Sequence, residues 1–187
     1  IIPLFSTSKE EDKRSEIVTK ISASKNEALK SYSYEFLQPL MGKMKVPYLN
    51  ELIQAYSGMD DNFVRNHIRE FFDDQLTIFL GYKGKQTSDV LQPKELTSLI
   101  NHFLPKGEQL NYYNPFAGLA SLALDLPNEV SYYGEELDRN TWILAKLRLI
   151  IYDAPELYQF ANVNSIEQWH YSSDTKYDFI AFNPPFN

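Results

Sequence analysis

The sequence predicts an α/β protein in which an N-terminal helical segment precedes the first half of an open parallel sheet wound from βαβ units. Three observations predict it. Before residue 88 the clearest apolar residues recur at steps of three and four, the period of helices that bury one face. From Leu91 onward, amphipathic stretches alternate with short apolar runs bounded by Pro and Gly. The last ten residues, DFIAFNPPFN, set the apolar run Phe179 to Phe182 before an amide and two prolines. That pattern reads as a buried parallel-type strand stopped by a stiff turn.

Composition narrows the class. The 187 residues are 43% hydrophobic and 14% aromatic, enough to bury a real core. With no cysteine there is neither a disulfide framework nor a thiolate metal site, which suits a reducing cytosol. No apolar run reaches membrane-spanning length, and the opening IIPLFSTSKEEDKR lacks a basic region ahead of an apolar one. A cytoplasmic protein with no membrane and no metal is the expectation. The net charge of −7 argues against a lone nucleic-acid binder, which meets phosphates with Lys and Arg. The chain starts without Met and stops directly after NPPFN, so it reads as truncated after its fourth strand.

In the helical part, EEDKRSE is a solvated charge run, and Ile17, Ile21 and Leu29 are loosely spaced for a helix face. Pro47 opens a helix with Leu49, Leu52, Ile53 and Tyr56 on one face and Gly58 as its stop. Asp60 or Asp61 caps the next helix, Asn62 to Leu80, whose core stripe is Val64, Ile68, Phe71, Phe72, Leu76 and Phe79. His67 beside that stripe reads as structural, and His102 and His170 are isolated. GYKGKQTSD is the natural linker. These features set a helical domain at 1–88 and a sheet-bearing domain at 89–187. Gln92-Pro93-Lys94-Glu95 then starts a helix burying Leu96, Leu99, Ile100, Phe103 and Leu104, ended by Pro105 and Gly107.

A strand from Gln109 to Tyr113 leads into NPFAGLAS. Pro115 stiffens this turn, Gly118 lets the backbone approach a ligand, and Ala120 and Ser121 begin a helix whose free N–H groups favour a polar or anionic group. The next strand, Glu129 to Tyr133, ends in GEELD. Glu136 lies 22 residues beyond Asn114, close to the roughly 20 expected between a nucleotide-binding turn and the acid that takes ribose hydroxyls. Glu135 or Asp138 takes that place if the register slips, and an acid capping the following helix is the plainer alternative. The helix from Arg139 carries Trp142, Ala145 and Leu149 on one side and Leu144, Leu147 and Ile151 on another. A third strand falls near Tyr158 to Val163, followed by Asn164, and a fourth runs from Tyr177 to Asn183. Crossover rules set strands one and four side by side, so the Asn114 and Asn183 turns share one crevice. An amide carries both an acceptor and a donor and Phe186 an apolar face, a pairing suited to a planar, amine-bearing substrate such as a nucleobase.

Asn183-Pro184-Pro185-Phe186 resembles the NPPF signature of S-adenosylmethionine-dependent amino methyltransferases, especially the adenine-specific DNA methylase subunits of type I restriction-modification systems. The resemblance covers roughly residues 85 to 187, and the preceding helices resemble the N-terminal helical region of such subunits. It implies that 89–187 is the N-terminal, incomplete part of a Rossmann-like class I methyltransferase domain. It implies S-adenosylmethionine as cofactor, held by Gln92 and Pro93, by Asn114, Pro115, Ala117 and Gly118, by Glu136 and by Asn164. Asn183, Pro184, Pro185 and Phe186 are the implied catalytic set, methylating the exocyclic 6-amino group of adenine in DNA. Implied partners are DNA, a specificity subunit and a restriction subunit. The alternatives are an amino methyltransferase on RNA or a protein glutamine, and an inactive methylase-like subunit. This chain departs from the family pattern in three places: Gln92 stands where Thr is usual, Ala120 replaces the second glycine of the turn, and Asn164 replaces Asp.

Overall fold

The structure, a computed structural model, describes residues 13–38, 58–82, 91–107, 109–155, 158–168 and 175–184. The expected helix from Pro47, the greater part of the linker, His170, Pro185 and Phe186 lie outside the described residues. Contacts divide the chain into two compact units, 1–70 and 71–187.

In the first unit, α1 (Lys13–Ser22) is followed by α2 (Glu27–Tyr32), which runs on as a π-helical turn, Ser33–Leu37. Asn26 starts α2 as a capping residue, its Oδ1 accepting the Leu29 N–H at 2.8 Å. Ile17 and Ile21 of α1 are buried one turn apart and pack with Val18, Leu29 and Leu37. Tyr32 and Phe36, also buried, pack ring against ring at 5.1 Å. Of the two capping candidates for the next helix, α3 (Asp61–Tyr82), Asp60 is the one that caps, its Oδ1 accepting the Phe63 N–H at 2.9 Å. His67 stays within that helix, its ring stacked on Phe63 and its Nδ1 2.8 Å from the Phe63 carbonyl oxygen.

The division between the units falls inside α3. Within the second unit, a buried ion pair that sequence periodicity does not report ties the later turns of α3 to the helix that carries Arg148. Asp73 receives the Arg148 guanidinium as a two-pronged fork, Nε to Oδ1 at 2.7 Å and Nη2 to Oδ2 at 2.8 Å, and accepts the Tyr152 hydroxyl at 2.7 Å. Leu76 and Leu80 then bury against Leu119. Phe71, expected in the core, is 40% exposed because the inward stripe is Phe72, Asp73, Leu76 and Leu80.

The second unit continues with α4 (Lys94–His102), β1 (Leu110–Asn114), β2 (Val130–Glu135), α5 (Arg139–Ile151), β3 (Gln159–Ala161) and β4 (Phe179–Ile180). All strand pairs are parallel, in the order β3-β2-β1-β4. Tyr112 and Tyr132 from adjacent strands meet edge to face at 5.4 Å on the side covered by α5, where Ala145 and Leu149 close the core. Gly134 has no room for a side chain, since a Cβ there meets the Phe160 ring at 2.7 Å.

Two expectations are corrected. Of the five apolar positions assigned to the helix after Pro93, only Ile100 and Leu104 pack on the core, while Leu96, Leu99 and Phe103 are 38%, 56% and 69% exposed. Polar contacts set the rotation of α4, with Asn101 Nδ2 donating to the Leu122 carbonyl. The helix expected from Ala120 is a single 3-10 turn, Ser121–Ala123. Ala120 and Asp125 both take positive φ, at 57° and 60°, and Leu122, Ala123, Leu124 and Leu126 are all buried. The left-handed backbone at Ala120 and Asp125 interrupts a right-handed helix on both sides of the turn.

The ion pair yields a stability prediction. Arg148→Met leaves Asp73 buried without its charge partner and is expected to cost about 3–5 kcal/mol in denaturant unfolding, while Asp73→Leu with Arg148→Met recovers most of it. A cost below about 1 kcal/mol for the single change contradicts the assignment.

Candidate active site at the carboxyl ends of β1 and β4

The strand order reverses at β1, which has β2 on one side and β4 on the other. In open α/β sheets the crevice beyond such a reversal is where ligands bind. The turn after β1 and the segment after β4 meet there. Ala181 N–H continues the ladder by donating to the Tyr113 carbonyl at 3.2 Å, and the Phe116 and Phe182 rings touch at 5.5 Å between centroids. Asn183, half-buried, and Pro184, exposed, come directly after them in the chain.

The turn is closed by its own donors. Phe116 N–H donates to Asn114 Oδ1 at 3.2 Å, Ala117 N–H to the Glu135 carbonyl at 2.8 Å, and Gly118 N–H to Glu136 Oε2 at 3.0 Å. Gly118 adopts a φ of 54°, which glycine takes without strain. These three N–H groups are committed within the turn and to Glu135 and Glu136. Pro115 contributes its carbonyl to the Ser165 hydroxyl at 2.6 Å. Ala117 is buried. Asn114 is 1% exposed, its Nδ2 donating to the Tyr132 hydroxyl at 3.1 Å, so its side chain shapes the turn from the core side.

Glu136, half-buried, follows β2 beside this turn. Its Oε2 accepts from Gly118 and its Oε1 from the Asp138 N–H at 2.7 Å. These two bonds orient the carboxylate. The capping alternative goes to Asp138, whose Oδ1 accepts the Thr141 N–H at 2.8 Å at the start of α5. Asn164 caps its own turn, its Oδ1 accepting from Ile166 and Glu167 N–H at 3.1 and 3.4 Å. Beside these two residues, Leu137 and Ile166 are 66% and 80% exposed.

Gln92 Nε2 donates to Thr97 Oγ1 at 3.0 Å, and Gln92 lines a cavity of about 800 Å³ that opens at the amino ends of β1 and β2, where Leu110 and Val130 line it. Neither Asn114, Gly118, Glu136 nor Asn183 lines that cavity. Among the described residues no three His, Cys, Asp or Glu side chains gather as for a metal ion, and no helix is long and apolar enough to cross a membrane.

Behind the crevice runs a brace that sequence reasoning missed. Glu135 is fully buried, its Oε2 accepting the Tyr113 hydroxyl at 2.7 Å and its Oε1 without a hydrogen-bond partner among the described residues. Tyr113 stacks on Tyr177 at 4.7 Å. The Glu-Glu pair was the available signal, because alternation along a strand sends neighbouring side chains to opposite faces.

A parallel sheet with a ligand crevice at its central reversal and an acid after its second strand defines the Rossmann-like class of nucleotide-cofactor folds. The match with solved structures narrows this to the class I methyltransferase fold. A type I restriction-modification system methyltransferase subunit from Streptococcus thermophilus superposes over 94% of this chain and 40% of its own, at 18% identity and a TM-score of 0.67. A Listeria monocytogenes protein assigned to the class I S-adenosylmethionine-dependent methyltransferases superposes over 84% of this chain and 51% of its own, at 16% identity and a TM-score of 0.60. Residues 65–187 match the family described as N-6 DNA Methylase, and the chain belongs to that family. Curated relatives include the type I restriction enzyme HindI methylase subunit of Haemophilus influenzae, 30% identical over 135 residues and 66% of this chain, and the MpnII methylase subunit of Mycoplasma pneumoniae, 24% identical over 165 residues and 74% of this chain. This chain spans 29% and 30% of their lengths.

The brace has a testable energetic consequence. Burial first, and the hydrogen bond to Glu135 second, push the Tyr113 hydroxyl well above its ordinary value of 10.0. Because the folded-state value lies above the unfolded one, the Tyr113 contribution is complete below about pH 10 and is lost as pH rises through the folded value. Tyr113→Phe removes the donor to a buried carboxylate, with an expected loss of about 1–3 kcal/mol at pH 7 in urea unfolding. A loss that is absent at pH 7 contradicts the brace.

Proposed function

We propose that the chain is part of a methylase subunit that transfers a methyl group from S-adenosylmethionine to the exocyclic 6-amino group of adenine in DNA, within a type I restriction-modification system. The observation that carries this reading is the meeting of the β1 turn with the Phe182–Pro184 segment at the β1/β4 reversal, in a chain of the N-6 DNA methylase family.

The crevice fits the cofactor. Glu136, oriented by two main-chain N–H groups, suits the paired ribose hydroxyls. Leu137 and Ile166 offer apolar faces for a planar ring, and the bare Cα of Gly118 allows close approach. Asn164 contributes a donor. Asn114, Pro115 and Ala117 act by holding the turn, and the part of Gln92 and Pro93 rests on the resemblance alone. When bound, S-adenosylmethionine supplies an electrophilic sulfonium methyl.

The protein's own task is to make a poor nucleophile competent. The adenine amine has its lone pair delocalised into the ring. Acceptance of its hydrogens by the Asn183 side-chain oxygen and the Pro184 carbonyl localises that pair, and Pro185 stiffens the turn that holds both. Phe186 stacks on the base. Positioning at attack distance provides most of the rate, and the base must leave the duplex to reach the crevice. The net charge of −7 accords with a grip on DNA supplied by other residues of the complete protein, by a specificity subunit or by a restriction subunit. On this reading residues 1–88 are the N-terminal helical domain and 89–187 the start of the catalytic domain.

The test is nucleoside mass spectrometry on DNA from cells expressing the complete gene with its specificity subunit. 6-Methyladenine is expected in the wild type and absent with Asn183→Ala, while Glu136→Ala raises the S-adenosylmethionine dissociation constant about tenfold or more. No 6-methyladenine in a wild type that binds S-adenosylmethionine overturns the substrate and moves the reading to RNA or protein amides.

A further inference from the structure

We infer that Asn162 is a positioning residue for the Glu136 carboxylate; this rests on the reading of Glu136 as the acid that takes the cofactor ribose. The β2/β3 ladder ends with the pair Glu135 and Ala161. The main chain carries it one step further, with Glu136 N–H donating to the Ala161 carbonyl at 3.0 Å and Val163 N–H to the Glu136 carbonyl at 3.2 Å. Past that step one chain leads into α5 and the other into the Asn164 turn, and a side chain joins them. Asn162 Nδ2 donates to the Glu136 carbonyl at 2.8 Å and to the Leu137 carbonyl at 3.0 Å. Both partners are acceptors, so only the NH2 end of the amide can meet them.

A hold on the backbone here is a hold on the carboxylate. Glu136 Oε1 is aimed by the Asp138 N–H, two residues along, and Oε2 by the Gly118 N–H of the β1 turn. The first of these bonds lasts only while the chain from Glu136 to Asp138 keeps its path, and the Leu137 carbonyl is the point on that path which Asn162 pins. β3 has three residues, fewer than the roughly five or six typical of strands, so the ladder alone gives this path little support. Both bonds of the amide go to main-chain carbonyls. Asn162 therefore acts on the cofactor through Glu136, by keeping the carboxylate preorganised before the ligand arrives.

The experiment titrates S-adenosylmethionine into the complete protein by calorimetry, as wild type, Asn162→Ala, Glu136→Ala and the double variant. Asn162→Ala is expected to raise the dissociation constant about threefold to tenfold. In the Glu136→Ala background the same change is expected to shift it by less than about twofold, because the group that Asn162 positions is gone. An unchanged dissociation constant in Asn162→Ala overturns the inference. So does an equal rise in both backgrounds, which is what a general loss of folded protein or a merely structural part produces. A Glu136→Ala variant that binds S-adenosylmethionine as the wild type does removes the reading of the ribose acid and this inference together. Weaker binding in Glu136→Ala with no change in Asn162→Ala removes the inference alone.

Discussion

The Arg148 guanidinium is the interaction on which the sheet unit depends. It donates to both oxygens of Asp73, to the Leu119 carbonyl at 3.0 Å and to Ser121 Oγ at 2.9 Å, while being 3% exposed. One planar group thus joins the inner half of α3, the carboxyl end of α5 and the chain behind the glycine turn. A fork of fixed geometry can do this where a lysine cannot. The desolvation of the pair costs a good deal, and the bonds to Leu119, Ser121 and Tyr152 offset it by leaving few polar groups unmatched.

At the carboxyl ends of the strands this scaffold presents a turn shaped from within. The β1 turn consumes its own N–H groups, Asn114 and Ser165 hold it from two sides, and the carboxylate of Glu136 is aimed by Gly118 and Asp138. The stretch after β4 is brought beside this turn by the parallel pairing of Tyr112 with Phe179 and Tyr113 with Ile180. Two motifs far apart in sequence become neighbours because β1 lies at the strand-order reversal.

Much of this was legible in the sequence, for identifiable reasons. Short apolar runs ended by Pro and Gly marked all four strands within a few residues, and right-handed crossover rules gave the β1/β4 adjacency. Asp138 could be recognised as a capping residue only once the acid beside it had a different partner. The features that failed to show were those set by tertiary contact. The rotation of α4 depends on Asn101 meeting the Leu122 carbonyl, and the missing helix after β1 depends on Ala120 adopting a positive φ. The Asp73–Arg148 pair joins positions whose partner no local pattern names. Glu135 was visible only as an alternative register for Glu136, and its burial against Tyr113 results from strand alternation once β2 extends to residue 135.

The most direct measurement is an experimental structure of the complete protein with S-adenosylhomocysteine and a duplex bearing the recognition site. The account predicts the cofactor ribose on the Glu136 carboxylate, its ring between Leu137 and Ile166, and an extrahelical adenine with its amine on Asn183. Cofactor density in the cavity bounded by Gln92, Thr97 and Tyr152, with the β1 turn left empty, would contradict it.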